Sequence, residues 1–222
     1  MLKIAEPDVS RVRNAIRVVC EQHEVKQAAV GRLRVTWTSG VGALGSDRGR
    51  SWTLVVAWAV ATPWPETANL AVSSVKRNEH SQLAGAKTTS YAENALAIAE
   101  AKAAGASEAL LLNLGGMVCE GGSSNIFAVK DGVLFTPPAT DGCLVGVTRN
   151  IVLRIAHGAV PIVEKSFTLA QLLKADEVFI TSSTRDIQPV ARVDNQEYSA
   201  DRPVTSRLMT LFAEHAEEYC ND

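Results

Sequence analysis

Two segments of the chain carry side chains that could perform chemistry together. Lys87 lies in G-A-K-T-T-S-Y at 85–91, and Glu120 lies in C-E-G-G-S-S-N-I-F at 119–127. Lys87 follows a small, uncharged stretch, so we expect its amine to be partly desolvated, which lowers its pKa and favours attack on a carbonyl carbon. Glu120 precedes a tight glycine turn, where a carboxylate can face a buried site. Taken alone, each residue is more simply interpreted as a solvated surface group.

Two further segments could bind an anion. G-V-T-R at 146–149 opens a predicted helix at 147–157. The free N–H groups and the positive dipole end of a helix N-terminus favour a phosphate, and the Thr148 hydroxyl adds a donor. T-S-S-T at 181–184 follows a predicted strand at 177–181, so hydroxyls and N–H groups converge at the strand end. The simpler alternatives are a threonine N-cap and a polar loop.

Three residues near these segments are candidates for additional contacts. Arg185 follows T-S-S-T and could pair with a substrate carboxylate in bidentate fashion, although a solvated arginine is an equally good interpretation. Arg77, in the polar stretch before Lys87, could meet an anionic substrate or face solvent. Tyr91 lies about one helical turn after Lys87 and could face a bound ring, with a core tyrosine as the alternative.

The composition argues against several classes of protein. The 222 residues carry a net charge of −2, which gives no sign of a nucleic-acid or anionic-membrane partner. The four cysteines are widely spaced without a C-x-x-C pair, which argues against a zinc site or a disulfide framework. The start, M-L-K-I-A-E-P-D, lacks the apolar stretch of a signal peptide, and no apolar run approaches membrane-spanning length. We therefore expect a cytoplasmic protein without a metal site.

Two domains are predicted, with a boundary in the proline-rich connection T-P-W-P-E-T at 62–67. Residues 1–63 form a small α/β domain with a helix at 7–23, in which Pro7 suits the first turn, and strands at 28–38 and 52–60, the second of them buried. Residues 64–222 contain irregularly alternating helices and strands, with a strong hairpin signal at Asp131-Gly132. This pattern favours the α+β class with a largely antiparallel or mixed sheet over a doubly wound parallel sheet.

The order of the motifs is more specific than any one of them. K-T-T-S-Y-x-E-N-A-L-A precedes E-G-G-S-S-N-I-F-x-V-K-D-G-V-L-F-T-P-P, followed by G-x-T-R and A-D-E-V-F-I-T-S-S-T-R-D-I-Q-P-V. From residue 77 to residue 193, this series resembles the class IV (fold type IV) aminotransferase family, whose enzymes depend on pyridoxal 5'-phosphate (PLP). That family includes branched-chain aminotransferases, D-amino acid aminotransferases and aminodeoxychorismate lyases.

The resemblance implies a role for each matching residue. Lys87 looks like the lysine that forms a Schiff base with PLP and shuttles the proton, and Glu120 resembles the carboxylate on the pyridine nitrogen. The implied phosphate contacts are the Val147 N–H, Thr148 and Ser183, and the Thr184 N–H falls near the substrate carboxylate or the phosphate. The implied fold is a small N-terminal α/β domain and a larger C-terminal pseudo-barrel domain. The family usually forms a homodimer, with PLP between the two domains.

Within the family, the stretches around Lys87 and Arg185 look most like bacterial sequences of aminodeoxychorismate lyase. That enzyme releases pyruvate from 4-amino-4-deoxychorismate and leaves 4-aminobenzoate, a folate precursor. The alternatives are an aminotransferase acting on D-amino or branched-chain amino acids, and an inactive truncated relative. The last alternative arises because the chain begins after the hairpin and helix with which the family pattern starts, so we expect its small domain to be incomplete.

Overall fold

The computed structural model describes residues 4, 6–22, 31–42 and 52–220 of the chain. The chain divides into two compact units, Met1–Pro63 and Trp64–Asp222. All of the candidate site residues named above belong to the second unit. No helix within the described ranges is long and apolar enough to cross a membrane.

The first unit contains a helix whose start is fixed by an aspartate. Helix α1 (Val9–Cys20) begins after Asp8, whose side chain accepts hydrogen bonds from the Ser10 and Arg11 N–H groups. Because Asp8 is the N-cap, Pro7 precedes the helix. The predicted position of this proline in the first helical turn is therefore wrong.

The first unit also contains a hairpin with one solvent-facing side. Strands β1 (Gly31–Thr38) and β2 (Thr53–Val60) pair antiparallel, with Gly31 opposite Val60. Exposed and half-buried residues alternate along β2, and Val55 is 50% exposed. A strand covered on one face alternates in this way, so the prediction of a buried strand at 52–60 is wrong. The predicted start of the first strand at residue 28 lies outside the described residues.

The second unit, where it is described, is built on a nine-stranded mixed sheet. Its strands are β3 (Ala68–Arg77), β4 (Glu108–Asn113), β5 (Val118–Gly121), β6 (Asn125–Lys130), β7 (Val133–Thr136), β8 (Ile162–Glu164), β9 (Glu177–Ser182), β10 (Asp186–Val193) and β11 (Gln196–Glu197). They lie in the order β5-β4-β3-β10-β9-β6-β7-β8, and β11 pairs with β10. Strand β3 is parallel to β4 and β10, and β7 is parallel to β8, whereas the other pairs are antiparallel. The predicted α+β class with a mixed sheet is confirmed.

Helices cover the outside of this sheet. In the described part of the second unit they are α2 (Ala92–Ala103), α3 (Val147–Ala156), α4 (Leu169–Leu172) and α5 (Pro203–Cys220), and a 3-10 turn spans Ala139–Asp141. Helix α2 packs on β3 and β4, whereas α3 and α5 pack on each other and on β9. The two ends of the sheet are thus covered by different helices.

The sheet curls because two distant strands are joined by a short link. Strands β5 and β6 are five steps apart in the strand order, which corresponds to about 24 Å in a flat sheet. The chain between Gly121 and Asn125, however, spans at most about 14 Å. The sheet therefore bends until β5 approaches β6, with which it is in contact. This curvature confirms the pseudo-barrel that the family resemblance implies.

Successive side chains along the strands of the sheet belong to two different apolar layers. On β6, Ile126 and Ala128 belong to the core that the curled strands enclose, whereas Phe127 and Val129 belong to the layer beneath α3 and α5. The Phe127 ring stacks on Phe179 of β9, with centroids 4.9 Å apart. The period of two along a strand explains why one short segment supplies both layers.

Strand β10 escapes prediction from the sequence because it contains a proline, which disfavours an interior strand. Pro189 nevertheless lies opposite Phe179 of β9, and the register with β3 shifts after Val190, which marks an irregularity beside the proline. By contrast, the predicted hairpin at Asp131-Gly132 is confirmed. Both residues have positive φ angles, 51° and 75°, as a type I′ turn requires.

The start of α5 depends on a buried carboxylate from the sheet. Glu177 of β9 accepts hydrogen bonds from the Val204 N–H (3.1 Å), the Thr205 N–H (2.7 Å) and the Thr205 hydroxyl (2.6 Å). We expect Glu177→Gln to lower the free energy of unfolding by about 2 kcal/mol, because the amide has one acceptor oxygen and no charge for the helix N-terminus. Urea denaturation with an unchanged m-value measures this loss.

The matched control is Asp201→Asn, which removes an exposed carboxylate just before the same helix. We expect it to change the free energy of unfolding by less than about 0.5 kcal/mol. Equal losses in the two variants would contradict the capping role of Glu177.

Candidate active site

Glu120 in β5 carries an almost fully buried carboxylate, with 7% of the residue exposed. Its Oε2 accepts a hydrogen bond of 2.9 Å from the Leu144 N–H, and its Oε1 lies 3.0 Å from Nε of Arg77. Burial raises the pKa of Glu120, and the Leu144 N–H, the Arg77 guanidinium and the Lys87 charge oppose part of this rise. The protein thus compensates a buried negative charge at the position predicted to meet a ring nitrogen.

Arg77, the last residue of β3, provides the main counter-charge. Its side chain is 16% exposed, and the contact with Glu120 is a charge pair in which the Nε–H is not aligned for a hydrogen bond. Its Nη1 also lies 3.5 Å from Oε2 of Glu93 in α2. The guanidinium therefore has two carboxylate partners within the protein, and a substrate contact for Arg77 stays a prediction.

The loop 139–146 brings the Leu144 peptide to Glu120. Gly142 in this loop has φ = 93°, and a Cβ there would lie 2.9 Å from the Cα of Glu79, so glycine is required on both counts. The Leu144 carbonyl accepts a hydrogen bond of 2.7 Å from Nδ2 of Asn125. Glu120 and Asn125 thus hold the two ends of residue 144 from the same short segment of chain.

Lys87 is exposed, in contrast to the partly desolvated amine that the sequence predicts. The reason is local: residues 79–90 form no helix or strand that packs into the core, and Lys87 follows a series of turns at 79–85. The Lys87 Nζ lies over the Tyr91 ring, 5.7 Å from its centroid. The charge of Lys87 lowers the pKa of Glu120, with a smaller effect than those of the Leu144 N–H and Arg77.

Tyr91 connects the lysine to the loop that follows Glu120. It is the N-cap residue of α2, and its hydroxyl donates a 3.1 Å hydrogen bond to the Gly122 carbonyl, which also accepts from Asn94 Nδ2 at 2.8 Å. The ring is 38% exposed, so it is not a core residue. Burial, together with the charges of Glu120 and Glu108, raises the pKa of Tyr91 and keeps the hydroxyl protonated.

The N-terminus of α3 has the form of an anion cradle. Gly146 is its N-cap and supplies no side-chain acceptor, so N–H groups of the first turn remain available to a ligand. Thr148 is buried beside these N–H groups. Val147 is 71% exposed and has an apolar side chain, so only its backbone N–H can donate to an anion. A Cβ at Gly146 would lie 2.2 Å from Oδ1 of Asn125, which leaves no room for a side chain.

The second predicted anion-binding turn joins β9 to β10. Ser183 and Thr184 are exposed there and therefore accessible to a ligand. The Arg185 N–H donates to the Ser182 carbonyl over 3.1 Å, which closes the turn. The Arg185 side chain is buried, with Nη2 3.1 Å from Oε2 of Glu108, so a substrate contact for Arg185 stays a prediction.

Asn125 links the two turns, although no sequence pattern assigns it a role. Its backbone pairs with Thr181 at the end of β9, while its side chain holds Leu144 and borders Gly146. The signal that identifies it is an amide at the start of an otherwise apolar strand, N-I-F-A-V. A polar residue opens an apolar strand in the same way at Glu108, in E-A-L-L-L-N.

The donor set fits PLP on the chemistry of its groups. A buried carboxylate suits a protonated ring nitrogen, and the open α3 N-terminus suits a phosphate. An exposed amine can reach an aldehyde carbon. The carboxylate is connected to the helix N-terminus because Glu120 contacts the loop that leads into α3. Lys87 is connected to the loop after Glu120 through Tyr91.

Removing the counter-charge of Glu120 should produce a loss of stability that depends on pH. In Arg77→Met the ionised Glu120 loses the charge of Arg77 in the folded state, so its pKa rises further. The unfolded state is not affected by this loss. We expect the variant to lose about 3 kcal/mol of unfolding free energy at pH 8. This loss should shrink as the pH falls through the folded-state pKa of Glu120, because the protonated carboxyl needs no counter-charge. Urea denaturation of both proteins across this pH range gives the difference.

Lys76→Met is the matched control, because Lys76 is an exposed cation in the same strand. Its effect should be small and independent of pH. A loss in Arg77→Met that is the same at pH 5 and pH 8 would contradict a charge-pair role for Arg77.

Comparison with known proteins places this geometry in a family. A family model described as amino-transferase class IV matches residues 2–193. The branched-chain-amino-acid aminotransferase of Pseudomonas aeruginosa is 32% identical over 212 residues, which cover 90% of this chain and 68% of that protein. The chain therefore spans about two thirds of the length of this relative.

Solved structures agree with the family model. The T.th. branched-chain amino acid aminotransferase complexed with N-(5'-phosphopyridoxyl)-L-glutamate has a TM-score of 0.83 and 31% identity, covering 95% of this chain and 72% of that chain. A putative 4-amino-4-deoxychorismate lyase from Legionella pneumophila has a TM-score of 0.81 and 24% identity, covering 92% of this chain and 83% of that chain. At this identity, the similarity shows a shared fold and no shared activity. The chain belongs to the class IV amino-transferase family, whose enzymes use PLP.

Proposed function

We propose that the protein is a PLP-dependent aminotransferase that acts on branched-chain amino acids. The observation that carries the proposal is the buried Glu120 carboxylate, which is compensated by Arg77 and the Leu144 N–H. Tyr91, which lies beneath the Lys87 amine, donates a hydrogen bond to the loop that follows Glu120. The substrate class is supported by the branched-chain aminotransferase of P. aeruginosa, a relative of which the chain covers 68%.

Lys87 is the proposed catalytic base and nucleophile. Bound PLP supplies an electron sink for negative charge that develops at the amino-bearing carbon of the substrate. Lys87 is exposed, so its Nζ would be accessible to a carbonyl carbon and, as a free amine, would accept the proton of the substrate Cα and return it. The neighbouring Tyr91 ring restricts where this amine can lie.

Glu120 is the proposed partner of the ring nitrogen. Each of its carboxylate oxygens already meets one protein group, Leu144 N–H or Arg77, but a carboxylate has about four lone-pair sites and can accept a further hydrogen bond. Holding a negative charge here favours a protonated ring nitrogen. Arg77 acts through Glu120 in this proposal and does not touch the substrate.

The phosphate is proposed to bind between the two turns. The Val147 N–H and Thr148 contribute from the start of α3, and Ser183 and the Thr184 N–H contribute from the turn after β9. Asn125 keeps these turns together through its backbone and side chain. The homodimer implied by the family resemblance is part of the same proposal, and sedimentation equilibrium of the purified chain tests it.

The aminotransferase is preferred over the lyase predicted from the sequence. The lyase comparison shows only a shared fold, whereas the P. aeruginosa relative at 32% identity is an aminotransferase. The lyase substrate also carries two carboxylates, and the two candidate arginines for a substrate carboxylate, Arg185 and Arg77, are paired with Glu108 and Glu120. These pairs favour a substrate with fewer charges.

The first test is the covalent chemistry of Lys87. After incubation with PLP, reduction with borohydride and gel filtration, mass spectrometry should locate a phosphopyridoxyl group on Lys87 in the wild type. Lys87→Ala should retain no label, whereas Lys102→Ala, which removes an exposed lysine at the far end of α2, should be labelled normally. A wild-type protein without label, or with label on another lysine, would overturn the assignment.

The second test separates the two activities. We expect repeated turnover of leucine only when a keto acid is present to accept the amino group, since without it the amino group of at most one leucine per bound PLP can be transferred. The rate should fall by a factor on the order of 10³ in Lys87→Ala. 4-Amino-4-deoxychorismate should give no pyruvate. Pyruvate release without a keto acid would establish the lyase instead, and neither activity in a PLP-labelled protein would overturn the branched-chain proposal in favour of a D-amino acid aminotransferase or an inactive relative.

A further inference from the structure

A second buried ion pair lies next to the candidate site and is not used by the chemistry proposed above. Glu108 at the start of β4 and Arg185 have side chains that are 1% and 2% exposed, and Nη2 of Arg185 lies 3.1 Å from Oε2 of Glu108. Moving two charges out of water is costly, and such a pair is kept only where its geometry is well satisfied. The contacts of the two side chains show which parts of the chain the pair holds in place.

On one side, Glu108 holds the loop that follows Glu120. Its Oε2 accepts hydrogen bonds from the hydroxyls of Ser123 (2.6 Å) and Ser124 (3.3 Å). Gly122 packs directly on the same carboxylate, because a Cβ there would lie 3.0 Å from Oε1 of Glu108. The loop 121–124 is therefore shaped around Glu108.

On the other side, Arg185 holds the turn that carries Ser183 and Thr184. Its backbone N–H closes the turn, while its Nη1 donates a 2.6 Å hydrogen bond to Oε1 of Gln188. The central guanidinium carbon lies 3.5 Å from the centroid of the Trp64 ring. A planar cation fixed on several sides allows the turn little freedom.

We propose that the Glu108–Arg185 pair is a brace that sets the relative position of two cofactor loops, 121–124 and 182–185. Arg185 is then a positioning residue for PLP binding and not a ligand of the substrate. The proposal rests on the proposed function only for its PLP readout. The coupling of the two loops through this ion pair is expected in the protein without cofactor as well.

The brace extends beyond the pair itself. The Gln188 side chain, bound to Arg185, donates through Nε2 to the Pro65 carbonyl over 2.6 Å. Trp64 and Pro65 begin the second unit, so the same network fixes the entry of the chain into that unit. Substituting Arg185 should therefore affect regions distant in sequence but joined through this network.

The experiment uses Arg185→Met, Glu108→Gln and the double variant, with Arg185→Lys as a milder substitution that keeps the charge. The first readout is backbone hydrogen exchange of the cofactor-free full chain. We expect each single variant to speed exchange in both loops, including the loop that the substituted side chain does not itself hold. Exchange that rises only in loop 121–124 in Glu108→Gln and only in loop 182–185 in Arg185→Met, or in neither loop, would overturn the brace.

The second readout is the dissociation constant of PLP, followed by tryptophan fluorescence. Each single variant should bind PLP about tenfold more weakly. The double variant should bind PLP more tightly than the product of the two single effects predicts, because either single substitution already removes the ion pair. Independent, multiplicative effects would overturn the coupling. Failure of the wild type to bind PLP would refute the proposed function, and the hydrogen-exchange result would still decide on the brace.

A matched ion-pair control is available on the β6–β7 hairpin. Lys130 pairs with Asp176 at 2.7 Å, but both side chains are about half exposed. Lys130→Met should leave PLP binding and the exchange of both cofactor loops unchanged. An equal effect of Lys130→Met on the loops would show that the response reports general loss of stability and would overturn the specific role of Arg185.

Discussion

A buried carboxylate must be compensated, and the arrangement around Glu120 follows from that constraint. Its compensating groups come from separate parts of the chain: Arg77 from the end of β3, the Leu144 N–H from the loop before α3, and the charge of Lys87 from the turn before α2. None of these groups is near Glu120 in sequence. Because a carboxylate with fewer partners is costly in this position, each of these groups adds to the stability of the folded state.

The curled sheet makes this convergence possible. The three-residue link between β5 and β6 brings Glu120 and Asn125 together, although their strands lie five steps apart in the strand order. Glu120 and Asn125 bind the two ends of residue 144, and Asn125 pairs with Thr181 of β9. Both predicted anion-binding turns are thereby fixed relative to the carboxylate. The Glu108–Arg185 pair adds a second connection, which joins the loop after Glu120 to the turn that carries Ser183 and Thr184.

The sequence predicts what depends on local pattern and motif order, and it fails where long-range neighbours decide. The α+β class, the Asp131-Gly132 hairpin and the family were accessible because they rest on local spacing and an ordered series of motifs. The partners of Arg77 and Arg185 were not, since these ion pairs join residues that are 43 and 77 positions apart in the sequence. The exposure of Lys87 was mispredicted because small apolar neighbours do not reveal whether a segment packs or turns.

The state of the ring nitrogen of bound PLP gives the most direct test of the role assigned to Glu120. With PLP labelled by nitrogen-15 in the ring, the NMR chemical shift distinguishes a protonated from a neutral nitrogen. We predict a protonated nitrogen in the wild type and a neutral one in Glu120→Ala at the same pH. A neutral nitrogen in the wild type, or a protonated nitrogen that persists in Glu120→Ala, would contradict the central claim.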